Sequence, residues 1–410
     1  MRVLYIFQYF TTPSGSTGTR AYELAKRLVE SGHEVYMVCS SAQRGSTGLT
    51  GEFNNGLRTG VFEGIHIYEF DLKYSNYDSL TTRAYKFFKY SFKSISLVIK
   101  LKYDIIFATS TPLTAGIPGI FGKIFCRKPF VFEVRDLWPE LPKAMKIVTN
   151  PIVLMGMSVL EFLAYNTADA CVGLAPGIVA GIKKRLRRKD KEVAFIPNAC
   201  DLELFSDKSI VYSHEEILPN DFVSVFTGAH GVANGLDAVL DAAKILCEKG
   251  ISDIKILFVG DGKKKPHLIE RKQRENLTNC IFADPIPKNK MNTLLNRADI
   301  GLMILDNVPA FYNGTSPNKF FDYLAAGLPI LNNYPGWISE YIKEYECGYT
   351  VQPGDPKVFA DCLIQARNDK REGKIDNYGK NAKLLAEEKF DRNKLAQDFI
   401  DLLEKYSKKK

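Results

Sequence analysis

Short apolar, β-branched runs alternate with helix-period segments along the whole 410-residue chain, the pattern of parallel sheets covered on both faces by helices. In the first half, strands are predicted at residues 3–7, 34–39, 66–70, 104–109, 130–134, 170–174 and 193–196. A second series follows at 223–226, 255–259, 280–282, 300–304 and 329–331. The expected fold is therefore α/β, with two doubly wound Rossmann-like domains in tandem. Ligands of such sheets bind at the carboxyl ends of the strands, so the chemistry is expected in a cleft between the two domains.

Residues 201–221 are polar and end in Leu-Pro-Asn, which reads as a hinge. The expected division is a first domain at 1–202, a second at 203–389, and a C-terminal helix at 390–410 packing back on the first domain. Residues 41–64 are rich in glycine with little apolar periodicity, so a long mobile loop, a candidate lid, is expected there. Leu395, Phe399, Leu402 and Leu403 lie at helical spacing before a lysine tail.

Composition narrows the class. A chain that is 45% hydrophobic and 25% charged is not a disordered polymer. Its eight cysteines form no Cys-x-x-Cys pair and neighbour no His cluster, which argues against a disulfide framework or zinc site and for a reducing compartment. No apolar run reaches the roughly 18–20 residues of a membrane span, and the N-terminus reads straight into a buried strand, so a cytosolic protein is expected.

The net charge of +8 suits nucleic acid or an anionic membrane surface. No nucleic-acid-binding signature is visible. One basic run, Lys183, Lys184, Arg185, Arg187, Arg188 and Lys189, reads as the solvated end of a helix. In the other, residues 83–102, Lys86, Lys89, Lys93 and Lys100 alternate with Phe87, Phe88, Tyr90, Phe92 and Leu97. That composition fits an interfacial helix at a membrane surface, or equally a core-facing helix with snorkelling lysines.

Several loops carry candidate chemistry. Gly15, Ser16, Thr17 and Gly18 lie between the first strand and the first helix, where free amides and the helix dipole favour a phosphate or a sugar hydroxyl; a plain connecting turn is the alternative. The loop is neither G-x-G-x-x-G nor a P-loop, which argues against a dinucleotide enzyme or an ATPase. After the strand at 130–134 come Arg135 and Asp136. Asp136 would bind a substrate hydroxyl or act as base and Arg135 would offset substrate charge, unless the two form a structural salt bridge. Gly228, His230 and Asn234 lie in one loop of the second half, and Gly260 and Asp261 in another, both with glycines that let backbone approach a ligand.

The strongest local signal is the run Asn313, Gly314, Thr315, Ser316, Pro317, Asn318, Lys319 continuing through Asp322 to Gly327. Ser316 reads as an N-cap and Pro317 as the first helical residue, with Gly327 ending the helix. The first turn and the Lys319 ammonium would hold a diphosphate leaving group. Asp322 would accept the hydroxyls of a ribose. No Asp-x-Asp pair for Mg²⁺ occurs, so donors rather than a metal are expected to neutralise the leaving group.

These residues, with Glu23 to Leu28, Gly32 to Val35, Ile196 to Asp201, Val259 to Gly262 and Ala298 to Leu302, resemble family 4 of the retaining glycosyltransferases, over most of the chain. Within it, Glu133 to Glu140 and Ser316 to Lys319 are similar to the branch that builds O-antigens and capsules, with the closest likeness to L-fucosamine transferases. The resemblance implies the two-domain GT-B fold and transfer from a UDP-sugar to a polyprenyl-diphosphate-linked saccharide, with retention, without a metal or other cofactor. It also implies the base near Gly260, Ile286 and Lys288, the ribose at Asp322, the diphosphate at Ser316 to Lys319, and domain closure bringing Asp136 to the sugar. The chain departs from the family pattern in three places. The two helix glutamates align with Gly314 and Asp322, the Arg and Lys after the first strand of the second domain align with Ala229 and Asn234, and a His aligns with Arg135. Alternative readings are a nucleotide-sugar epimerase or hydrolase of the same fold, and a catalytically silent sugar-nucleotide or membrane-binding protein.

Overall fold

The computed structural model describes residues 1–15, 18–42, 45–75 and 78–408. The chain divides into two compact units, Met1–Pro197 with Asn313–Ser316 and the residues from Asn393 on, and Asn198–Tyr312 with Pro317–Arg392. The first division thus falls five residues before the expected 202, and Asn313–Ser316, which include the first residue of the predicted diphosphate segment, count with the first unit rather than the second.

The first unit holds strands β1 (Arg2–Ile6), β2 (Glu34–Ala42), β3 (Leu57–Phe62), β4 (Ile65–Tyr74), β5 (Ile105–Thr109), β6 (Phe130–Val134), β7 (Ala170–Gly173) and β8 (Val193–Phe195). Their order is β3-β4-β2-β1-β5-β6-β7-β8, parallel except for the β3–β4 pair. Its helices are α1 (Arg20–Glu30), α2 (Leu80–Lys100), α3 (Gly116–Phe125), α4 (Glu140–Ala144), α5 (Pro151–Thr167) and α6 (Pro176–Arg185). The connections through α2, α3, α5 and α6 all step across the sheet in one direction, and that through α1 in the other. Right-handed crossovers therefore lay α2, α3, α5 and α6 on one face and α1 on the opposite face.

The second unit is a six-stranded parallel sheet of β9 (Phe222–Thr227), β10 (Ile254–Val259), β11 (Cys280–Ala283), β12 (Ile300–Met303), β13 (Ile330–Asn332) and β14 (Gly348–Thr350), in the order β11-β10-β9-β12-β13-β14. Helices α7 (Asp237–Glu248), α8 (Lys265–Arg274), α9 (Met291–Arg297), α10 (Pro309–Tyr312), α11 (Asn318–Ala326), α12 (Trp337–Glu344), α13 (Pro356–Arg371) and α14 (Ile375–Lys389) surround it. Leu240 of α7 and Phe359 of α13 pack with Phe226 and Phe258 in its core, each burial contributing about 1.5–3 kcal/mol. The last helix, α15 (Arg392–Ser407), sets Phe399 edge-on to Phe107 of β5, with ring centroids 4.8 Å apart.

The stretch expected as a lid is largely fastened. Its residues 43–44 lie outside the described residues, but residues 57–62 form edge strand β3, and Thr47 and Arg58 both bond the Glu69 carboxylate, at 2.6 and 2.7 Å. An acid buried in a central position of β4 needs such partners, and the glycine-rich composition hid them. Strand β14 also escaped the sequence reading; Gly348 there has φ +155°, and a Cβ would lie 2.0 Å from the Ile330 carbonyl oxygen. Among the described residues no helix is long and apolar enough to cross a membrane.

One buried ion pair gathers the carboxyl ends of the first sheet. Arg20, at the start of α1, meets Glu133 of β6 at 2.7 Å and donates to the carbonyls of Ile196 (2.9 Å) and Pro197 (2.5 Å). Thr109 at the end of β5 donates to the other Glu133 oxygen at 2.6 Å. Burial alone would raise the Glu133 carboxyl, but the charge and hydrogen bonds of Arg20 outweigh it and hold the group below its usual range. Arg20→Met, which strands the Glu133 charge, should lower unfolding free energy by about 3–5 kcal/mol in urea titrations. Because the folded carboxyl titrates below its ordinary 4.5, its stabilisation is present above that pH and is lost as pH falls below it. The stability gap between wild type and Glu133→Gln should accordingly narrow as pH drops below 4.5, measured by melts across acid pH.

Candidate active site

Each sheet changes winding direction at one point: between β1 and β5 in the first unit, and between β9 and β12 in the second. Loops leaving the carboxyl ends there are splayed apart, which opens a crevice for ligand. The predicted site residues of the second unit cluster at its switch point, on the loops after β9 and β10 and the start of α11.

Lys319 is the centre of that cluster. Its ammonium lies 4.2 Å from the centroid of the Phe226 ring and donates to Asn234 Oδ1 at 3.0 Å. Among the described residues no carboxylate pairs with it, and burial lowers its pKa to about 7. The Asn234 amide nitrogen donates in turn to the Ala229 carbonyl at 2.7 Å, so this side chain both braces its own loop and aims the ammonium. Sequence comparison had marked Asn234 as a lost cation; the structure makes it the positioning partner of the cation that is present.

The helix carrying Lys319 starts one residue later than expected. Pro317, with φ −73° and ψ 127°, is the N-cap, and Asn318 opens α11. Ser316 is thus not the cap, because the extended Pro317 separates it from the first helical amides. Asn313, Gly314, Thr315 and Ser316 lie just before, with Asn313 accepting from the Gly177 amide at 2.8 Å within the first unit.

Three further expectations change. His230 is fully buried, boxed by the rings of Phe226, Phe258 and Phe282 at centroid distances of 6.0, 6.3 and 6.0 Å. Burial, reinforced by the charges of Lys265 and Lys319, lowers its pKa to about 4, so the ring is neutral, and neither of its nitrogens has a hydrogen-bond partner among the described residues. Gly260, expected to admit a ligand, instead admits protein: it has φ +151°, and a Cβ there would meet the Gly228 carbonyl oxygen at 1.8 Å. Asp261 joins this crossing through its carbonyl, which accepts from the His230 amide at 3.0 Å. Asp322 does not stand free for a ribose: it is nearly buried, and its carboxylate is bound by the Lys288 ammonium, which also lies 5.1 Å from the Phe205 ring centroid. Ile286, partly buried, precedes this pair by two residues on the segment after β11.

In the first unit, Asp136 accepts from the Thr111 hydroxyl at 2.9 Å, and burial raises its pKa despite that bond and the nearby Arg135 charge. Arg135 and Asp136 form no ion pair; the Arg135 guanidinium lies 5.2 Å from the Phe7 ring, and its backbone amide donates to Ser110 Oγ at 3.0 Å. Gly15 is buried and its amide closes a turn onto the Thr12 carbonyl at 3.0 Å, while Thr12 is itself anchored on the Ser46 carbonyl. Gly18 is half-buried, and Ser16 and Thr17 lie outside the described residues. Sequence reasoning missed Gln8, fully buried just after β1 with neither amide atom hydrogen-bonded among the described residues. It also missed Thr111 and Phe226. A polar residue directly after a buried strand at the switch point was the available signal for Gln8 and Thr111; nothing local marked Phe226, whose role comes from Lys319, 93 positions on in the sequence.

The profile described as Glycosyltransferase Family 4 matches residues 17–204, and that described as Glycosyl transferases group 1 matches residues 221–369. Sucrose-phosphate synthase from Thermosynechococcus elongatus superposes with a TM-score of 0.75 at 16% identity, covering 98% of both chains. Anabaena Alr3699/HepE in complex with UDP-glucose gives 0.68 at 16% identity, over 99% of this chain and 100% of that one. WaaG, a glycosyltransferase involved in lipopolysaccharide biosynthesis, gives 0.65 at 14% identity, over 98% of this chain and 99% of that one. No curated protein matches by sequence. The chain is a glycosyltransferase of the GT-B fold.

A lysine whose folded pKa is about 7 resists protonation that the unfolded chain accepts up to its ordinary 10.5. The folded protein should therefore gain stability as pH rises through that interval. Lys319→Met should remove that gain, seen as a flatter dependence of Tm on pH between neutral and mildly alkaline buffers.

Proposed function

We propose that the protein moves a sugar from a UDP-sugar donor to a polyprenyl-diphosphate-linked saccharide, with retention of configuration and without a metal, in the building of an O-antigen or capsule. The observation that carries the donor half is the Lys319 ammonium, set at the switch point of the second sheet without a carboxylate partner among the described residues. Such a cation is under-satisfied until an anion arrives, and a diphosphate supplies two charges. The UDP-glucose complex of HepE supports the choice of nucleotide, and the lipopolysaccharide role of WaaG supports the acceptor class. The sugar in this reading is an N-acetylated amino sugar, N-acetyl-L-fucosamine first among them, on the strength of the L-fucosamine-transferase likeness.

In the donor half, Lys319 and the first amides of α11 hold the diphosphate, and the negative charge that grows on the leaving UDP oxygen is stabilised there more than in the ground state. The Lys288–Asp322 pair would share a ribose hydroxyl, the lysine fixing the carboxylate in place. In the first unit, Asp136, held by Thr111, binds an acceptor or sugar hydroxyl, and Arg135 offsets acceptor phosphate charge. The departing phosphate oxygen takes the acceptor proton, so no separate base is required. The acceptor lies at a membrane surface, which the basic aromatic helix α2 contacts.

Purified protein incubated with a panel of UDP-sugars should release UDP only when a lipid-linked acceptor is present; release without acceptor would favour the hydrolase or epimerase reading. EDTA should leave turnover intact, and a loss restored by Mg²⁺ would overturn the metal-free reading. Lys319→Ala should cut kcat by about 10²-fold or more. Because an anion favours the charged ammonium, UDP binding at pH near or above 7 should be accompanied by proton uptake, read by calorimetry in buffers of differing ionisation enthalpy. That uptake should vanish in Lys319→Met.

A further inference from the structure

Helix α5 is built inside out. Its one charged residue, Glu161, is buried, paired with Arg185 of α6 at 2.9 Å. Its outward stripe is wholly apolar: Ile152, Met155, Val159 and Leu163 are 73%, 64%, 54% and 45% exposed. The spacing i, i+3, i+7, i+11 puts them on one side of the helix. A water-facing helix normally has the reverse arrangement, with the charge outside. Neighbouring α3 ends in Phe125, which is 71% exposed, and α2, packed on α3, presents Phe92 at 63%. These helices share one face of the sheet, so their apolar side chains form a row across a single layer.

We propose that this layer, with the α5 stripe at its centre, is the surface by which the protein enters an anionic lipid bilayer. The charge around it identifies the occupant. Exposed cations flank α5 at both ends: Lys143 and Lys146 before it, and Lys183, Lys184, Arg187 and Lys189 at the end of α6, whose Arg185 also donates to the Ser158 carbonyl of α5 at 3.2 Å. Helices α2 and α3 carry no acidic residue. The exposed acids nearby are Glu140 and Asp190, the latter paired with Arg188 at 2.8 Å. Apolar side chains rimmed by cations match acyl chains beneath anionic headgroups, each exposed Lys or Arg adding attraction within a Debye length. This deepens the membrane contact of the proposed function, which placed it on α2, and rests on that contact alone, not on the identity of sugar or acceptor.

The test is co-sedimentation of the full chain with phosphatidylcholine vesicles, with and without phosphatidylglycerol. Wild type should bind the anionic vesicles, and Met155→Asp with Val159→Asp should weaken partition about tenfold or more while Tm and transfer to a soluble acceptor analogue stay near wild type. Lys183→Glu with Lys184→Glu should weaken only the anionic component. Unchanged partition in the aspartate variant overturns the proposal, as does loss confined to Phe92→Glu on α2. Wild type that ignores vesicles but dimerises through the same residues overturns it too, assigning the face to a second copy. Should the aspartate variant fail to fold, Met155→Trp decides: its emission should shift to the blue and be quenched by brominated lipid, and an unaltered spectrum counts against insertion.

Discussion

The second unit is organised around a cation without an anion. Holding an ammonium beside an aromatic face and one amide oxygen, away from carboxylates, is unfavourable in the free protein, and burial lowers the pKa of Lys319 accordingly. Fold geometry imposes the arrangement. Phe226 is fixed by the β9 core, Lys319 by the first turn of α11, and Asn234 by its bond to the Ala229 carbonyl. In the reading proposed above, a site held this way meets its ligand already oriented, and electrostatic preorganisation of that kind is what leaving-group departure requires.

The first unit solves a different problem with the opposite device. There Arg20 and Glu133 neutralise each other, and the remaining donors of Arg20 fall on two carbonyls just beyond β8. A paired charge of this kind contributes register and shape more than net stability. It draws the ends of β5, β6 and β8 and the start of α1 together, and so sets the floor from which Ser110, Thr111, Arg135 and Asp136 project. One unit thus pairs this buried charge within the protein, while the other sets an ammonium against only a ring and an amide oxygen.

The sheets were legible in the sequence because fully buried parallel strands are continuous apolar runs, and each of the twelve predicted runs overlaps an observed strand. β3 and β14 were not, since one is a half-exposed antiparallel edge interrupted by Gly60 and the other is three partly buried residues. Lys319 and Asp322 stood out in the sequence as near neighbours, but their partners were invisible: Asn234, Phe226 and Lys288 lie 85, 93 and 34 positions away. His230 misled for a related reason. A histidine in a glycine-rich loop looks solvent-exposed until three phenylalanines from three different strands close around it. The inside-out character of α5 could not be read at all, because an apolar segment with one glutamate looks the same whichever side the core takes.

The contact between Gly260 and the Gly228 carbonyl carries a lesson for engineering. Two hairpin-tight turns from adjacent strands share the same few cubic ångströms, and each relies on the other's missing side chain or backbone path. A chimaera that swaps the β9 turn for one from another enzyme to alter donor preference would import a conformation its neighbour does not accommodate. The natural unit of exchange is the pair, transplanted as one cassette with Gly262, whose absent methyl leaves room for the His230 carbonyl.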